Sequence, residues 1–254
     1  TKLSAEGVFV AYYSNQSETV LLSKNEDKQY LLASVSKLMT AILADNLLPK
    51  SATTSVSKFV LGQRGSAKKY PSNSAYEVDT LMRSLLIESN NDAAWMLAEK
   101  TGSTTQFTLL MNQEAKKLGM TNSSFENPTG IDPAGKSQGN VGTAKDVAKL
   151  ISHVYKNEST IAETTILTQT DIHNLSGSVT YVASSTNILL KDSSINFKIK
   201  AQKTGETPLA KQNLALVLTK DGLDGYFITV VLKSKDHFAD TKTILKEIEN
   251  GLSN

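Results

Sequence analysis

The sequence contains no cysteine. That absence excludes thiol nucleophiles, zinc–thiolate sites and disulfides, and it is compatible with export without establishing it. Arginine is scarce: Arg64 and Arg83 stand among 27 basic residues, and none follows position 83. Bidentate phosphate recognition is therefore not a theme of this chain. The formal net charge is +2, and no stretch gathers lysine and arginine with aromatics, which argues against a nucleic-acid partner. No apolar run approaches the ~20 residues of a membrane span. The three histidines, His153, His173 and His237, are isolated, without the spacing of a metal motif. No glycine-rich phosphate loop occurs either, so neither a metal nor a cofactor is expected. The chain opens on Thr1, which is compatible with a signal peptide or anchor removed ahead of it.

What is present is an ordinary share of hydrophobic residues, 39% of 254, enough for the core of one large domain or of two lobes within one. "GVFVAYYS" (7–14) and "ETVLLSK" (18–24) are β-rich runs on either side of the polar "NQS" and predict a hairpin. From Ser34 onward, Val35, Leu38, Met39 and Ile42 recur at helical spacing. Residues 49–76, rich in Ser, Gly and Lys, read as irregular. Val78, Leu81, Met82, Leu85 and Leu86 share one helical face. "SNN" at 89–91 breaks that pattern, and "DAAWMLAEK" resumes it with Asp92 as the expected cap. Ser103 with Gln106 makes a capping-box pattern ahead of another helix, closed by Gly119. "NPTGIDPAGKSQG" is loop chemistry, and "TAKDVAKLISHVY" is a further amphipathic helix.

From about residue 196 the period returns to two. "NFKIKAQKTGE", "NLALVLTK" and "GYFITVVLK" read as strands, "DGLDG" as the turn between the last two, and "DTKTILKEIE" as a closing helix. Strands at both ends with helices between predict an α/β fold, an antiparallel sheet built by both termini with flanking helices plus an inserted all-helical lobe. The expected division is a single domain, 1–254, in which 1–47 and 155–254 form the sheet lobe and 48–154 the helical lobe.

Candidate chemistry lies in three short patterns, each repeated. Ser-x-x-Lys occurs at Ser34/Lys37, Ser55/Lys58 and Ser66/Lys69; Lys-Thr-Gly at 100–102 and 203–205; Ser-x-Asn at Ser89/Asn91, Ser185/Asn187 and Ser194/Asn196. Context separates the copies. Ser34 falls where a helix begins, beside unpaired N–H groups and the positive end of the dipole, which favour a developing oxyanion. Lys37, one turn on, can approach its oxygen, and a buried lysine of depressed pKa can take a serine proton. On this segment alone an ordinary N-cap serine with a solvated lysine remains an equal reading. Lys100–Gly102 ends a helix, where lysine and glycine serve as a C-cap, whereas Lys203–Gly205 lies in a strand-like run where glycine admits a close backbone or ligand. Ser89–Asn91 falls between two apolar helices, where short polar side chains can leave the scaffold.

Taken in the order "SVSK", "SNN", "KTG", these elements resemble the signature of penicillin-binding proteins and class A β-lactamases. "LLASVSKLMTA", "LLIESNNDAAWMLAE", "FTLLMNQEAKKLGMTNSSFENPTGID" and "GTAKDVAKLI" are similar to the D-alanyl-D-alanine carboxypeptidases, the low-molecular-mass penicillin-binding proteins, over nearly the whole chain. The resemblance implies the β-lactamase/transpeptidase-like fold, with the site in the cleft between its lobes. It implies a serine acyl-transfer enzyme that trims peptidoglycan stem peptides ending in D-Ala-D-Ala. Ser34 would be the nucleophile, Lys37 its base, Ser89 a proton relay, and Asn91 a holder of the substrate amide. Lys203 would supply positive potential, Thr204 and Thr207 would lie near the substrate carboxylate, and the backbone N–H groups of Ser34 and Glu206, beside Gly205, would form the oxyanion hole. β-Lactams would acylate the same serine. The implied location is extracytoplasmic, in the periplasm or at the cell surface, with any anchor outside this sequence.

Three positions depart from that family's pattern: Asn90 where glycine is frequent, Glu206 beside the expected carboxylate site, and His237 where many relatives carry an arginine. Lys233 and Lys235 are candidates to compensate for the last. Rival readings are a class A-like β-lactamase, whose deacylating Glu-x-x-Leu-Asn pattern is absent, a peptidoglycan endopeptidase using the same residues, and a non-catalytic muropeptide- or β-lactam-binding module.

Overall fold

A computed structural model describes residues 2–14, 17–65, 69–72, 74–132, 134–135 and 138–252. Strands β1 (Gly7–Ser14) and β2 (Ser17–Lys24) form the expected hairpin, although Asn15 and Gln16 of its turn lie outside the described residues. After β3 (Tyr30–Leu31), a 3₁₀ turn over Ala33–Ser36 leads directly into α1 (Lys37–Leu47). The stretch read as irregular contains β4 (Thr53–Ser55), the single turn α2 (Lys58–Leu61) and β5 (Ala75–Glu77). β4 and β5 pair over only three residues, too few for alternation to stand out in the sequence.

Next come α3 (Val78–Ile87), α4 (Asn91–Lys100) and α5 (Thr104–Lys117). The cap of α4 is Asn90, not Asp92: Asn90 Oδ1 accepts from the Ala93 N–H at 3.1 Å, while Asp92 is buried inside the first turn. Ser89 causes the shift. Its φ of +65° turns the chain sharply after α3, so the helix restarts one residue after Asn90. β6 (Val141–Gly142) pairs with β3 and is followed by α6 (Ala144–Asn157) and α7 (Ser159–Thr165).

A hairpin of β7 (Gln169–His173) and β8 (Val179–Ser184), which the sequence reading did not identify, packs on α3. The chain closes with β9 (Lys198–Thr207), β10 (Lys211–Thr219), β11 (Tyr226–Ser234) and α8 (His237–Leu252).

The main sheet runs β2-β1-β11-β10-β9, with every neighbouring pair antiparallel. The amino-terminal hairpin thus pairs with a strand more than 200 residues away, Val8 opposite Val231. Period-two alternation divides the buried side chains between two cores. Phe9, Ala11, Ala215, Val217, Ile228 and Val230 join the helices around α1 and α3. Val8, Val10, Leu214, Leu216, Phe227 and Val231 lie with Ile244 and Leu245 of α8. Burial on both faces fixes the strand register, because a one-residue slip would exchange the two cores. β9 is left as an edge beside the Ala33–Ser36 turn, and the functional site lies there.

Candidate active site

The turn that presents Ser34 is held by backbone. Ala33 has a φ of +48°, unusual for a residue with a Cβ. Against it lies Gly130 at a φ of +79°, where an added Cβ would stand 1.8 Å from the Ala33 carbonyl oxygen. From the other side β9 presses in at Gly205, where a Cβ would meet Leu32 O and Val35 N at 2.9 Å and Ser34 N at 3.0 Å. Glycine in this Lys-Thr-Gly copy is therefore required by close approach of two backbones. In the other copy Gly102, at a φ of +112° and with nothing within 4 Å, ends α4 as a simple cap.

Ser34 caps no helix. Ser36 occupies the N-cap position of α1 without a side-chain bond, and the Ser34 hydroxyl meets Lys37 Nζ at 2.8 Å. Lys37 is not solvated; it is fully buried. Its amine also donates to Asn91 Oδ1 and to the Thr129 carbonyl oxygen, both at 2.7 Å. Burial, and then the charge of nearby Lys203, hold the Lys37 amine well below the usual lysine range. A neutral amine has two N–H donors and one lone pair. In the neutral form, with those two donors on Asn91 and Thr129, the lone pair would be free to accept the Ser34 hydroxyl proton.

The acceptor at Thr129 was not foreseen, and it comes from the "NPTG" loop. Asn127 Oδ1 accepts from the Thr129 and Gly130 N–H groups and the Thr129 hydroxyl, while Asn140 holds the Glu126 and Asn127 N–H groups. Thr40 of α1 donates to the Pro128 carbonyl oxygen at 2.7 Å. These bonds set the Thr129 carbonyl against Lys37. An asparagine shortly before Thr-Gly is the sequence signal for such a side-chain-closed turn.

Lys203, also fully buried, donates to Ser89 Oγ at 2.8 Å and to the Thr204 carbonyl oxygen at 3.0 Å. Desolvation lowers its pKa to about 7. In the unfolded chain the same amine binds a proton up to about pH 10.4. Between these limits the unfolded state holds more protons, so stability rises with pH, by up to about 1.4 kcal/mol per unit. Urea unfolding at pH 7.5 and 9.5 should therefore show the wild type gaining about 2 kcal/mol relative to Lys203→Met. Parallel pH dependence in the two proteins would refute the depressed Lys203 amine.

The chain neighbours of Ser89, Glu88 and Asn90, belong to a polar cluster that the sequence did not announce. The Glu88 carboxylate, with a side chain only 7% exposed, pairs with Lys69 and accepts from Tyr181 Oη at 2.5 Å, Ser84 Oγ at 2.9 Å and Asn90 Nδ2 at 3.0 Å. Burial pushes its pKa up, but these bonds outweigh that and hold it below the usual range. Asn90 thus neither narrows the cleft nor faces solvent: it is 5% exposed and engaged with α4 and Glu88.

The cleft, of about 250 Å³, is lined by Ser34, Ser89, Asn91, Thr186, Thr204, Gly205, Glu206, Gln212, His237 and Phe238. Six of the nine residues singled out from the sequence line it directly. Lys37 and Lys203 lie beneath, bonded to the two serines. Thr207 lies elsewhere: its hydroxyl donates to Asp132 Oδ1 and accepts from the Ala210 N–H, because the strand turns to β10 at that point. Thr186, whose hydroxyl meets that of Thr204, occupies a place in the lining that no sequence pattern marked. Lys233 pairs with Glu6 at 3.1 Å, and neither it nor Lys235 lines the cleft. Of the other Ser-x-x-Lys copies, Ser55 and Lys58 are exposed, and Ser66 lies outside the described residues.

Known proteins are similar to this chain over most of its length. The chain is 30% identical over 165 residues to the D-alanyl-D-alanine carboxypeptidase DacF of Bacillus subtilis, covering 63% of this chain and 41% of that protein. The D-alanyl-D-alanine endopeptidase of Escherichia coli is 30% identical over 237 residues, covering 91% of this chain and 74% of its own length. A penicillin-binding protein of Listeria monocytogenes, solved in the ampicillin-bound form, superposes with a TM-score of 0.80 at 29% identity over 97% of both chains. A family model described as D-alanyl-D-alanine carboxypeptidase matches residues 4–236, and the chain belongs to that family.

Proposed function

We propose that this chain is a serine D-Ala-D-Ala carboxypeptidase that trims peptidoglycan stem peptides through an acyl-enzyme on Ser34. The observation that carries the reading is the 2.8 Å contact between Ser34 Oγ and a fully buried Lys37 amine whose two other partners are both acceptors. The Lys37 lone pair takes the Ser34 hydroxyl proton as Oγ bonds to the penultimate D-Ala carbonyl carbon. The backbone N–H groups of Ser34 and Glu206 receive the developing oxyanion. The C–N bond to the terminal D-Ala then breaks, and the leaving nitrogen takes the proton by way of Ser89. Lys203 sets the potential around Ser89, and Asn91 and Thr204 hold the substrate. Water next adds OH to the acyl carbon, its second proton passing to Lys37 and back to Ser34. β-Lactams stop at the acyl stage on the same serine.

In this reading the cleft divides 1–47 and 155–254 from an inserted 48–154, and the substrate places the enzyme outside the cytoplasmic membrane. Among the described residues no helix is long and apolar enough to cross a membrane.

The test is incubation of the wild type with benzylpenicillin and, separately, with an N-acyl-L-Lys-D-Ala-D-Ala peptide. The expected results are one penicilloyl adduct on the proteolytic peptide bearing Ser34, and release of free D-alanine. Adduct formation with cleavage of a cross-linked dimeric muropeptide but no release of D-alanine would replace the carboxypeptidase by an endopeptidase. Absence of both adduct and release from folded protein would leave a binding module.

A further inference from the structure

Ser89 has a φ of +65°, in the left-handed region that a residue with a Cβ seldom adopts, and its hydroxyl meets Lys203 Nζ at 2.8 Å. The residues on either side of it are joined through one atom. Glu88 Oε1 accepts from Asn90 Nδ2 at 3.0 Å and from Ser84 Oγ at 2.9 Å, and the Asn90 N–H donates to the Ser84 carbonyl oxygen at 3.3 Å. These three bonds close a ring through Ser84, Glu88 and Asn90 that spans Ser89.

Two further groups brace the ring. Asn90 Oδ1 accepts from the Ala93 N–H of α4, and Tyr181 of β8 donates to the same Glu88 oxygen at 2.5 Å. Tyr181 meets Tyr70 edge-on, with centroids 5.8 Å apart, and Tyr70 is buried against Tyr76. A buried carboxylate is costly unless it is paired and hydrogen-bonded, and here donors from four residues converge on it. Oε1 takes three of them, whereas Oε2 faces Lys69, whose side chain is 45% exposed. The acceptor atom, rather than the charge, therefore makes the bridge. Glu88 does not line the cleft, so any effect it has on the reaction must pass through the chain that it holds.

We propose that Glu88 is a positioning residue for Ser89: by bridging Ser84 and Asn90 it holds the Ser89 hydroxyl at Lys203 and, in the serine acyl-transfer reading on which this inference rests, within reach of the leaving nitrogen. A proton passes only between groups at hydrogen-bond distance, and a misplacement of about 1 Å can cost on the order of 10²-fold. The step that depends on Glu88 is thus protonation of the leaving group, not attack by Ser34.

The experiment uses two leaving groups that differ in their need for a proton. It compares kcat/KM for N-acyl-L-Lys-D-Ala-D-Ala with that for the thiolester in which D-thiolactate replaces the terminal D-Ala. An amine leaves only when protonated, whereas a thiolate leaves without a proton. Both substrates keep the same acyl group and the same terminal carboxylate. The amide-to-thiolester ratio is expected to fall at least about tenfold in Glu88→Met and to return to within about threefold of the wild type in Glu88→Gln, which retains Oε1. Ser89→Ala should lower the ratio as well. A loss of stability alone slows both substrates together and leaves the ratio unmoved. Should Glu88→Met not fold, Tyr181→Phe, which removes one donor to the same oxygen, is expected to lower the ratio about threefold.

An unmoved ratio in whichever of these two folds, or a Glu88→Gln as impaired as Glu88→Met, overturns the proposal. If Ser89→Ala alone lowers the ratio, only the role of Glu88 falls. If Ser89→Ala leaves it unmoved, the relay falls and the positioning with it. Cleavage of neither substrate and no penicilloyl adduct on the wild type would remove the acyl-transfer reading itself.

Discussion

Ser34→Ala is expected to abolish the penicilloyl adduct altogether, and Lys37→Met to slow its formation by on the order of 10²–10⁴-fold. The first change removes the only oxygen that Lys37 contacts within its own turn. The second leaves that oxygen in place but deletes the buried amine proposed to receive its proton, so in that reading the serine must react without a base. Lys37→Met also leaves Asn91 Oδ1 and the Thr129 carbonyl without their donor. Its unfolding free energy must therefore be measured alongside, and rates compared only where both proteins are folded. Time-resolved intact-protein mass with benzylpenicillin provides the readout. A full adduct on Ser34→Ala, or acylation of Lys37→Met within tenfold of the wild type, would remove Ser34 or Lys37 from the proposed roles.

Gly130→Ala is expected to be the most destabilising single-methyl change in the site. A residue with a Cβ at a φ of +79° costs roughly 1–2 kcal/mol in strain alone. Here the new carbon would also stand 1.8 Å from Ala33 O and 2.3 Å from Ala33 C, both backbone atoms of a turn already at positive φ. Forced overpacking of this kind costs about 1–3 kcal/mol further, and backbone yields less readily than a side chain. The sum, on the order of 4 kcal/mol, is a large part of a typical stability of about 5–15 kcal/mol. Gly119→Ala is the control: its φ is +70°, yet nothing lies within 4 Å. Urea unfolding should show Gly119→Ala losing only the strain and Gly130→Ala losing at least twice as much. Equal losses would mean that the approach of the "NPTG" loop to the Ser34 turn is not tight.

The same loop illustrates what a linear reading misses. Asn127, Thr129 and Gly130 were legible as a turn, but their target, an amine in α1, is 92 residues from Thr129 along the chain. Asp92 looked like the cap of α4 because its residue type suits one. The positive φ of Ser89, where α3 gives way to α4, moved the cap to Asn90. Thr207 belonged to the same strand as Lys203 and Thr204, yet the turn into β10 directed its hydroxyl to Asp132. The β7/β8 hairpin was missed because its mostly exposed strands lack a marked apolar alternation.

By itself the sequence determined the α/β class, the hairpin at the amino terminus, the strands after residue 196, and the order of the serine, Ser-x-Asn and Lys-Thr-Gly elements. These follow from periodicity and local spacing, which act over a few residues. Only the tertiary structure decided between a capping serine and one bonded to a desolvated amine. The acidity of Lys37 depends on burial and on Lys203, and its amine is anchored by Asn91 Oδ1 and the Thr129 carbonyl oxygen. It likewise decided that Gly205 admits a second backbone while Gly102 merely ends a helix, and that His237 is buried in the cleft wall with its ring nitrogens unpartnered among the described residues. Desolvation and close approach are properties of neighbours in space, and those neighbours come from segments that no short window of sequence contains.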